Sequence, residues 1–330
     1  MKGMEELIQE TIDGLDHFPE SALLFDRQGR ILGANQEARS RFNRPLLSRQ
    51  DLPKELTDGL DETLASGRRS FSRCQVEGGT VLRKVLVPEY LDAQRPQQPA
   101  CALLRLGTKQ SKAVPHTVAL SLFHELRDGC KPLAAYLHDP AFVERHQHEA
   151  GFSEAREQAE HYLFERTLRV ANVLLALVGG FGGATAEATL KSLVVEAAHA
   201  NDGFYESQFR GSVDKMQLLC QGSDSRLTTG NLPRLKTLFA EIFVDVRRWS
   251  RSASVLWAED KKTLGVPAVK IEFGFEALPH TLSHMTSRNE GLGWSVAAEV
   301  VLEAQGRMEI TPGKPANLCL WLPLVLPEEF

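Results

Sequence analysis

The stretch SLFHELRDGCKPL, residues 121–133, decides how this chain is read. Around it, apolar or small residues fall at Ala119, Phe123, Leu126, Cys130, Leu133 and Leu137. Their alternating spacing of four and three is the seam of a helix that packs in a bundle. His124 lies one residue beyond a seam position. A step of about 100° around a 3.6-residue helix puts its imidazole on the shoulder of that seam, where it meets another domain rather than the core. The carboxylate of Glu125 follows directly.

Downstream of a turn that contains Asp139-Pro140 and Gly151, a second helix is expected over residues 153–178, with Ser153 as its N-cap and Glu154 and Glu157 in its first turn. Its apolar positions make two adjoining stripes. One is Ala159, Leu163, Val170, Val173 and Leu177; the other is Phe164, Leu168, Ala171, Leu175 and Val178. A single helical hairpin cannot bury so wide a face, whereas two copies can, as a four-helix bundle. His138, His146 and His148 in the turn lack acidic or cysteine ligands at fixed spacing and read as a solvated loop.

At 330 residues the chain has room for two or three domains. Its formal charge of -5 supplies no basic field for nucleic acid, and no Lys/Arg block suits an anionic membrane. The amphipathic, acidic N-terminus has no signal-type apolar core, and the longest apolar run, residues 170–178, is about half a membrane span. Cys74, Cys101, Cys130, Cys220 and Cys319 are odd in number and show no metal-ligand spacing, as expected of reduced cytoplasmic thiols.

Residues 22–25 and 30–32 read as two strands around the turn Asp26-Arg27-Gln28-Gly29, and a helix begins at Asn35. Residues 70–76, 81–90 and 100–106 read as three further strands. This order resembles a PAS sensory domain over about residues 14–108. No Asn-Cys-Arg-Phe flavin signature occurs, and residues 46–67 contain no histidine for haem. The resemblance therefore implies a cofactor-free PAS fold used for dimerisation or for sensing a small ligand.

His-Glu-Leu-Arg at the seam resembles the phosphoacceptor box of sensor histidine kinases, although Asp128, Gly129, Cys130 and Lys131 displace Pro132-Leu133 by about one turn from the family pattern. After the hinge at residues 179–183, GGFGG, a helix is expected over 185–200, and then NLPRLKTLFAEIFVDVRRWS at 231–250 resembles the N box of a GHKL-type ATP-binding domain. Its two nucleotide-facing positions correspond to Glu241 and Asp245, four apart on one helix face, with Arg248 where a lysine is common. The family's magnesium-binding asparagine is replaced by Asp245, which either supplies a hard oxygen ligand or is an exposed carboxylate paired with Arg248.

Strand 269–275, VKIEFGF, ends in Phe275 where the family has its adenine-reading aspartate, and only a one-residue slip would bring Glu276 there. The sequence EGLGWSV at 290–296 matches the glycine-rich helix start of these domains. Gly291 and Gly293 are the candidate phosphate contacts. A helix to about Ala304, a Gln305-Gly306 stop and strands at 308–311 and 318–325 complete the resemblance.

The expected architecture is thus α+β and multidomain. It has a PAS-like α/β sensor at 1–108, an antiparallel helical hairpin at 109–183 that forms a four-helix bundle in a homodimer, and a degenerate GHKL-type α/β sandwich at 184–330. The resemblance implies that His124, with Glu125 orienting its imidazole, takes phosphate from ATP and Mg²⁺ and passes it to the receiver domain of a response regulator. The alternative, raised by Phe275 and Asp245, is a pseudokinase that senses and dimerises without transferring phosphate.

Overall fold

A computed structural model describes residues 4–18, 20–42, 48–76, 81–89, 99–108, 137–149, 151–178, 185–208, 217–276 and 292–327. His124, Glu125 and Gly291, expected site residues, lie outside these. Within them the fold is mixed α+β, dominated by one ten-stranded sheet in the order β2-β1-β5-β4-β3-β11-β12-β10-β9-β7. Neighbours are antiparallel except β7 with β9.

The first half of the sheet is β1 (Ser21–Asp26), β2 (Ile31–Ala34), β3 (Arg69–Gln75), β4 (Val81–Glu89) and β5 (Cys101–Thr108). Asp26 builds the first turn: its Oδ1 accepts the amides of Gln28 and Arg30 at 2.9 and 2.8 Å, and Gly29 takes the left-handed φ of 76° that the turn requires. Asn35 then locks the entry to helix α2 (Gln36–Phe42). Its Oδ1 accepts the amides of Ala22 and Ala38, both at 2.9 Å, while its amide group donates to the carbonyl of Glu20 at 2.7 Å. Helices α3 (Lys54–Thr57) and α4 (Leu60–Ser66) join α2 over one face of this half, where Leu56, Leu60, Leu82, Leu86 and Leu104 form a core. Helix α1 (Met4–Gly14) lies toward the other face, near Leu24 and Leu103.

After the short α5 (Pro140–His146), which Asp139 caps, comes α6 (Phe152–Val178). It begins one residue before Ser153, so that serine lies in the first turn and is not the cap. The helix expected over 185–200 is instead strand β6 (Ala186–Thr189), paired with β8 (Arg226–Thr229), followed by α7 (Leu190–Gln208). The side chain of Thr189 accepts the amide of Ser192 and so starts α7 only after the strand has ended. The remaining elements are β7 (Gln217–Gly222), α8 (Leu232–Trp249), β9 (Ser252–Asp260), β10 (Ala268–Phe275), α9 (Leu292–Glu303), β11 (Arg307–Thr311) and β12 (Ala316–Pro323). Gln305 turns with a φ of 59°, and a Cβ on Gly306 would collide with the carbonyl of Trp321, so both expected stop residues are used, each differently.

The two halves meet where β3 pairs with β11, Phe71 opposite Met308 and Ser70 opposite Glu309. Phe71, with Val85 packed against it, belongs to the core beneath α7, α8 and α9, whereas Cys74, Leu82 and Leu86 of the same strands belong to the core under α2–α4. Strands β3 and β4 therefore serve two cores from their two faces. Ion pairs tie the junction: Arg68 and Arg307 to Glu309, Arg83 to Glu299 at 2.5 Å and Glu303 at 3.6 Å, and Arg234 to Glu303.

Candidate functional site

Helix α8 starts at Asn231, whose side chain accepts the amide of Arg234 at 3.2 Å. Leu235, Leu238, Phe239, Ile242, Phe243 and Val246 repeat at helical spacing and are buried against the sheet, with Phe243 edge-on to Phe273 of β10. This packing fixes the rotation of the helix. Glu241 and Asp245 share its flank, as their spacing requires, but both are buried, at 4% and 0% exposure. The expected alternative for Asp245, an exposed carboxylate, does not describe its position. Arg248 lies in the last turn of α8, and its side chain is outside the description.

Each carboxylate is engaged by a different helix. Arg169 of α6 reaches Glu241 with Nε at 3.0 Å from Oε1 and Nη2 at 2.5 Å from Oε2, a two-pronged and largely buried pair. Asp245 accepts the backbone amide of Trp294, at the start of α9, through Oδ2 at 2.8 Å. A carboxylate against a helix N-terminus is favoured by the helix dipole and by the orphan amides of the first turn. Gly293 permits this closeness: a Cβ there would collide with the Glu241 carbonyl and lie 2.8 Å from Asp245 Oδ2. The glycine is needed for α9 to lie on α8. In this arrangement, one amide that could receive a phosphate oxygen and the space beside it are both taken by the protein.

At the end of β10, Phe275 stacks on Trp294, ring centroids 6.1 Å apart and planes 20° from parallel, each ring 4% exposed. Glu276 is exposed and turned elsewhere: its Oε1 accepts the Arg251 amide at 3.3 Å and the Ser252 hydroxyl at 3.2 Å. The structure thus brings Glu241, Asp245 and Gly293 together and adds Phe275, Trp294 and Arg169. Sequence reasoning missed Arg169 and Trp294. Arg169 offered one signal, an arginine between apolar stripe positions Leu168 and Val170, and Trp294 another, an aromatic in the second position after Leu292. Among the described residues, no group of three or more His, Cys, Asp or Glu side chains is gathered for a metal ion.

No family model matches the chain, and no curated protein matches it. Among solved structures it is similar to histidine kinase ThkA, solved in complex with response regulator protein TrrA, at 15% identity over 93% of this chain and 96% of that one, with a TM-score of 0.40. It is also similar to the Acinetobacter baumannii histidine kinase AdeS, at 10% identity over 61% of this chain and 98% of that one, with a TM-score of 0.42. A third likeness is to the Erythrobacter litoralis EL346 blue-light activated histidine kinase, at 11% identity over 95% and 98% of the two chains, with a TM-score of 0.29. At such low TM-scores, function is read from the chain's own site. No helix among the described residues is long and apolar enough to cross a membrane.

Proposed function

We propose that this chain is a signalling protein of the histidine-kinase type whose nucleotide site is closed by its own side chains, a pseudokinase. One observation carries the reading: the side chain of Asp245 stands at the N-terminus of α9 and accepts the Trp294 amide. A triphosphate would have to displace a buried carboxylate from that amide and then tolerate its charge at close range, a double penalty in a site of low dielectric. The Phe275–Trp294 stack adds an apolar closure where base recognition requires a polar group. The residues as arranged do not fit Mg²⁺ with ATP, and no catalytic step is assigned to either.

In this reading residues 1–108 are a PAS-like sensor for a small-molecule ligand, 109–183 the dimerising hairpin and 184–330 a GHKL-type domain without turnover. The homodimer rests on the outward stripe of α6, where Phe164, Leu168 and Leu175 are 62%, 43% and 53% exposed while Val170 and Val173 face the core. A response-regulator receiver domain remains the proposed partner, and the cytoplasm the proposed location. The alternative is an active kinase that phosphorylates His124, favoured by the HELR box itself. Calorimetric titration of the full chain with ATP, with and without Mg²⁺, separates the two. The pseudokinase reading expects no saturation up to about 1 mM; micromolar binding together with acid-labile label from γ-labelled ATP would overturn it.

A further inference from the structure

The ten-stranded sheet ends in two edge strands, β2 and β7, and only β2 is blunted. Strand β2 is four residues long, and its pairing with β1 shifts register between Leu24 and Phe25. Ser48 bridges Arg30 beside it, and the Arg49 amide donates to the Gly29 carbonyl at 2.9 Å. Shortness, irregular register and added chain are devices that keep an edge from recruiting another strand.

Strand β7 has none of them. It follows β9 in unbroken parallel register, from Gln217 opposite Ser252 to Gly222 opposite Trp257, and among the described residues no strand pairs with its other side. Its sequence, QLLCQG, contains neither a charge nor a proline. The strand is firmly seated: Trp257 Nε1 donates to the Ser223 carbonyl at 2.6 Å, and a Cβ on Gly222 would lie 2.5 Å from the Trp257 ring. Gln217 donates its amide to the Arg251 carbonyl. In a parallel ladder, Gln217, Leu219 and Gln221 therefore turn their backbone groups to β9, while Leu218, Cys220 and Gly222 turn theirs outward. The side chains of Leu218 and Cys220 pack against the core beneath α7–α9. Leu219 points to the opposite, open face, where it is 64% exposed near Leu256 of β9 at 40%.

We propose that β7 is an interface between two copies of this chain, pairing antiparallel with β7 of the second copy across a two-fold axis at Leu219. The strand's own sequence selects this occupant. In that register the outward amides and carbonyls of Leu218 and Cys220 meet those of Cys220 and Leu218 in the second copy, giving four hydrogen bonds. Leu219 faces Leu219, and Gln217 faces Gln221, so no charge is opposed and an exposed leucine pair is covered. A charged partner strand would find no counter-charge in β7. The pairing does not depend on the α6 stripe. A chain that also dimerises through α6 carries two isologous interfaces and links its dimers into larger assemblies.

Sedimentation velocity of the full chain at about 50 μM is the first test. Leu219→Lys sets ammonium against ammonium at a position exposed in the single chain, and should halve the assembly mass or lower it further. The mass should fall from larger assemblies to a dimer if α6 also dimerises, and from a dimer to a monomer if it does not, so the hairpin reading and this one fail separately. Disulfide cross-linking in a Cys130→Ser/Cys220→Ser background tests the register. Leu219→Cys should cross-link on mild oxidation, because facing residues of a non-hydrogen-bonded pair have Cα atoms about 4.5 Å apart. Gln221→Cys, about 14 Å from its symmetry mate, should not. A mass unchanged by Leu219→Lys, or cross-linking that is absent from Leu219→Cys or equally strong in Gln221→Cys, overturns the proposal.

Discussion

The half-sheet formed by β1–β5 and the half formed by β7 and β9–β12 are continuous in hydrogen bonding but covered differently, the first on both faces and the second on one. In the first, Leu82, Leu86 and Leu104 face α2–α4; in the second, Ile271, Phe273 and Leu320 face α7–α9 on the other side. The face of the second half that would continue the α2–α4 side carries Lys270, Glu272, Leu256 and Leu219, with Leu219 64% exposed. The α2–α4 layer ends at the β3–β11 seam, while the opposite face is covered by α1 at β1 and β5 and by α7–α9 beyond the seam. A sheet built this way cannot slide at the seam without moving residues of both cores, because β3 and β4 contribute to each. The junction is part of the fold's stability, and what holds each half can be removed separately.

The largest effect is expected within the second half. Glu241→Leu leaves the Arg169 guanidinium buried without its carboxylate and should cost about 3–5 kcal/mol in urea unfolding of the full chain, with most of it restored in the double variant Arg169→Met/Glu241→Leu. A loss below about 1 kcal/mol would show that α6 does not depend on α8 through this pair.

Next comes the seam. Arg83→Met removes the partner of Glu299 and one of the two partners of Glu303 and should cost about 2 kcal/mol, with faster amide exchange in β3 and β11 than in β10. Burial raises the Glu299 pKa and Arg83 partly lowers it. A carboxyl whose folded pKa lies above its ordinary 4.5 gives stability that is complete below 4.5 and is lost as pH rises through the folded value. That loss should deepen in Arg83→Met. Unchanged exchange at the seam would mean that the halves are joined by backbone bonds alone.

A smaller effect belongs to the open face. Asp260 is held down to about 2 by the amide and hydroxyl of Thr263 and the amide of Lys262, and it also accepts from Trp321 Nε1 at 3.1 Å. Its contribution is present above the ordinary 3.8 and is lost as pH falls through about 2. Asp260→Asn should remove this acid-side slope and cost about 0.5–1 kcal/mol near neutral pH. An identical acid profile in parent and variant would assign the slope to other carboxylates.

The smallest effect is expected at His124, which the apolar spacing of the sequence alone puts beside a helical seam. His124→Gln should leave folding and dimerisation within about 0.5 kcal/mol of the parent, as for an ordinary surface change. The parent itself should carry no acid-labile phosphate. Label that appears in the parent and vanishes in His124→Gln would establish the kinase reading, and label that persists in the variant would move the search to another histidine.

Local signals made much of this legible. The Asp26-to-Gly29 turn, the Asn35 helix start, the alternation of β10 and the Gln305-Gly306 stop each arise from residues a few positions apart, and the same residues carry them in the structure. The helix start at Gly293 and the shared face of Glu241 and Asp245 were readable for the same reason. The environment of those carboxylates was not, since spacing says which residues share a face and nothing about what covers it.

Apart from strand β6, the amino-acid sequence by itself indicated most of the described strands and long helices, their order and which residues of α8 stand together, because helix and strand periods, caps and turns are written in neighbouring residues. Only the tertiary structure decided that Asp245 binds the start of α9, that Phe275 meets Trp294, and that β3 finds β11. The physical reason is that an alternating strand has a period but no named partner: its edge amides and carbonyls pair with any suitable edge. Here the choice is reinforced by Arg68 and Glu309, 241 residues apart, whose pairing no local pattern records.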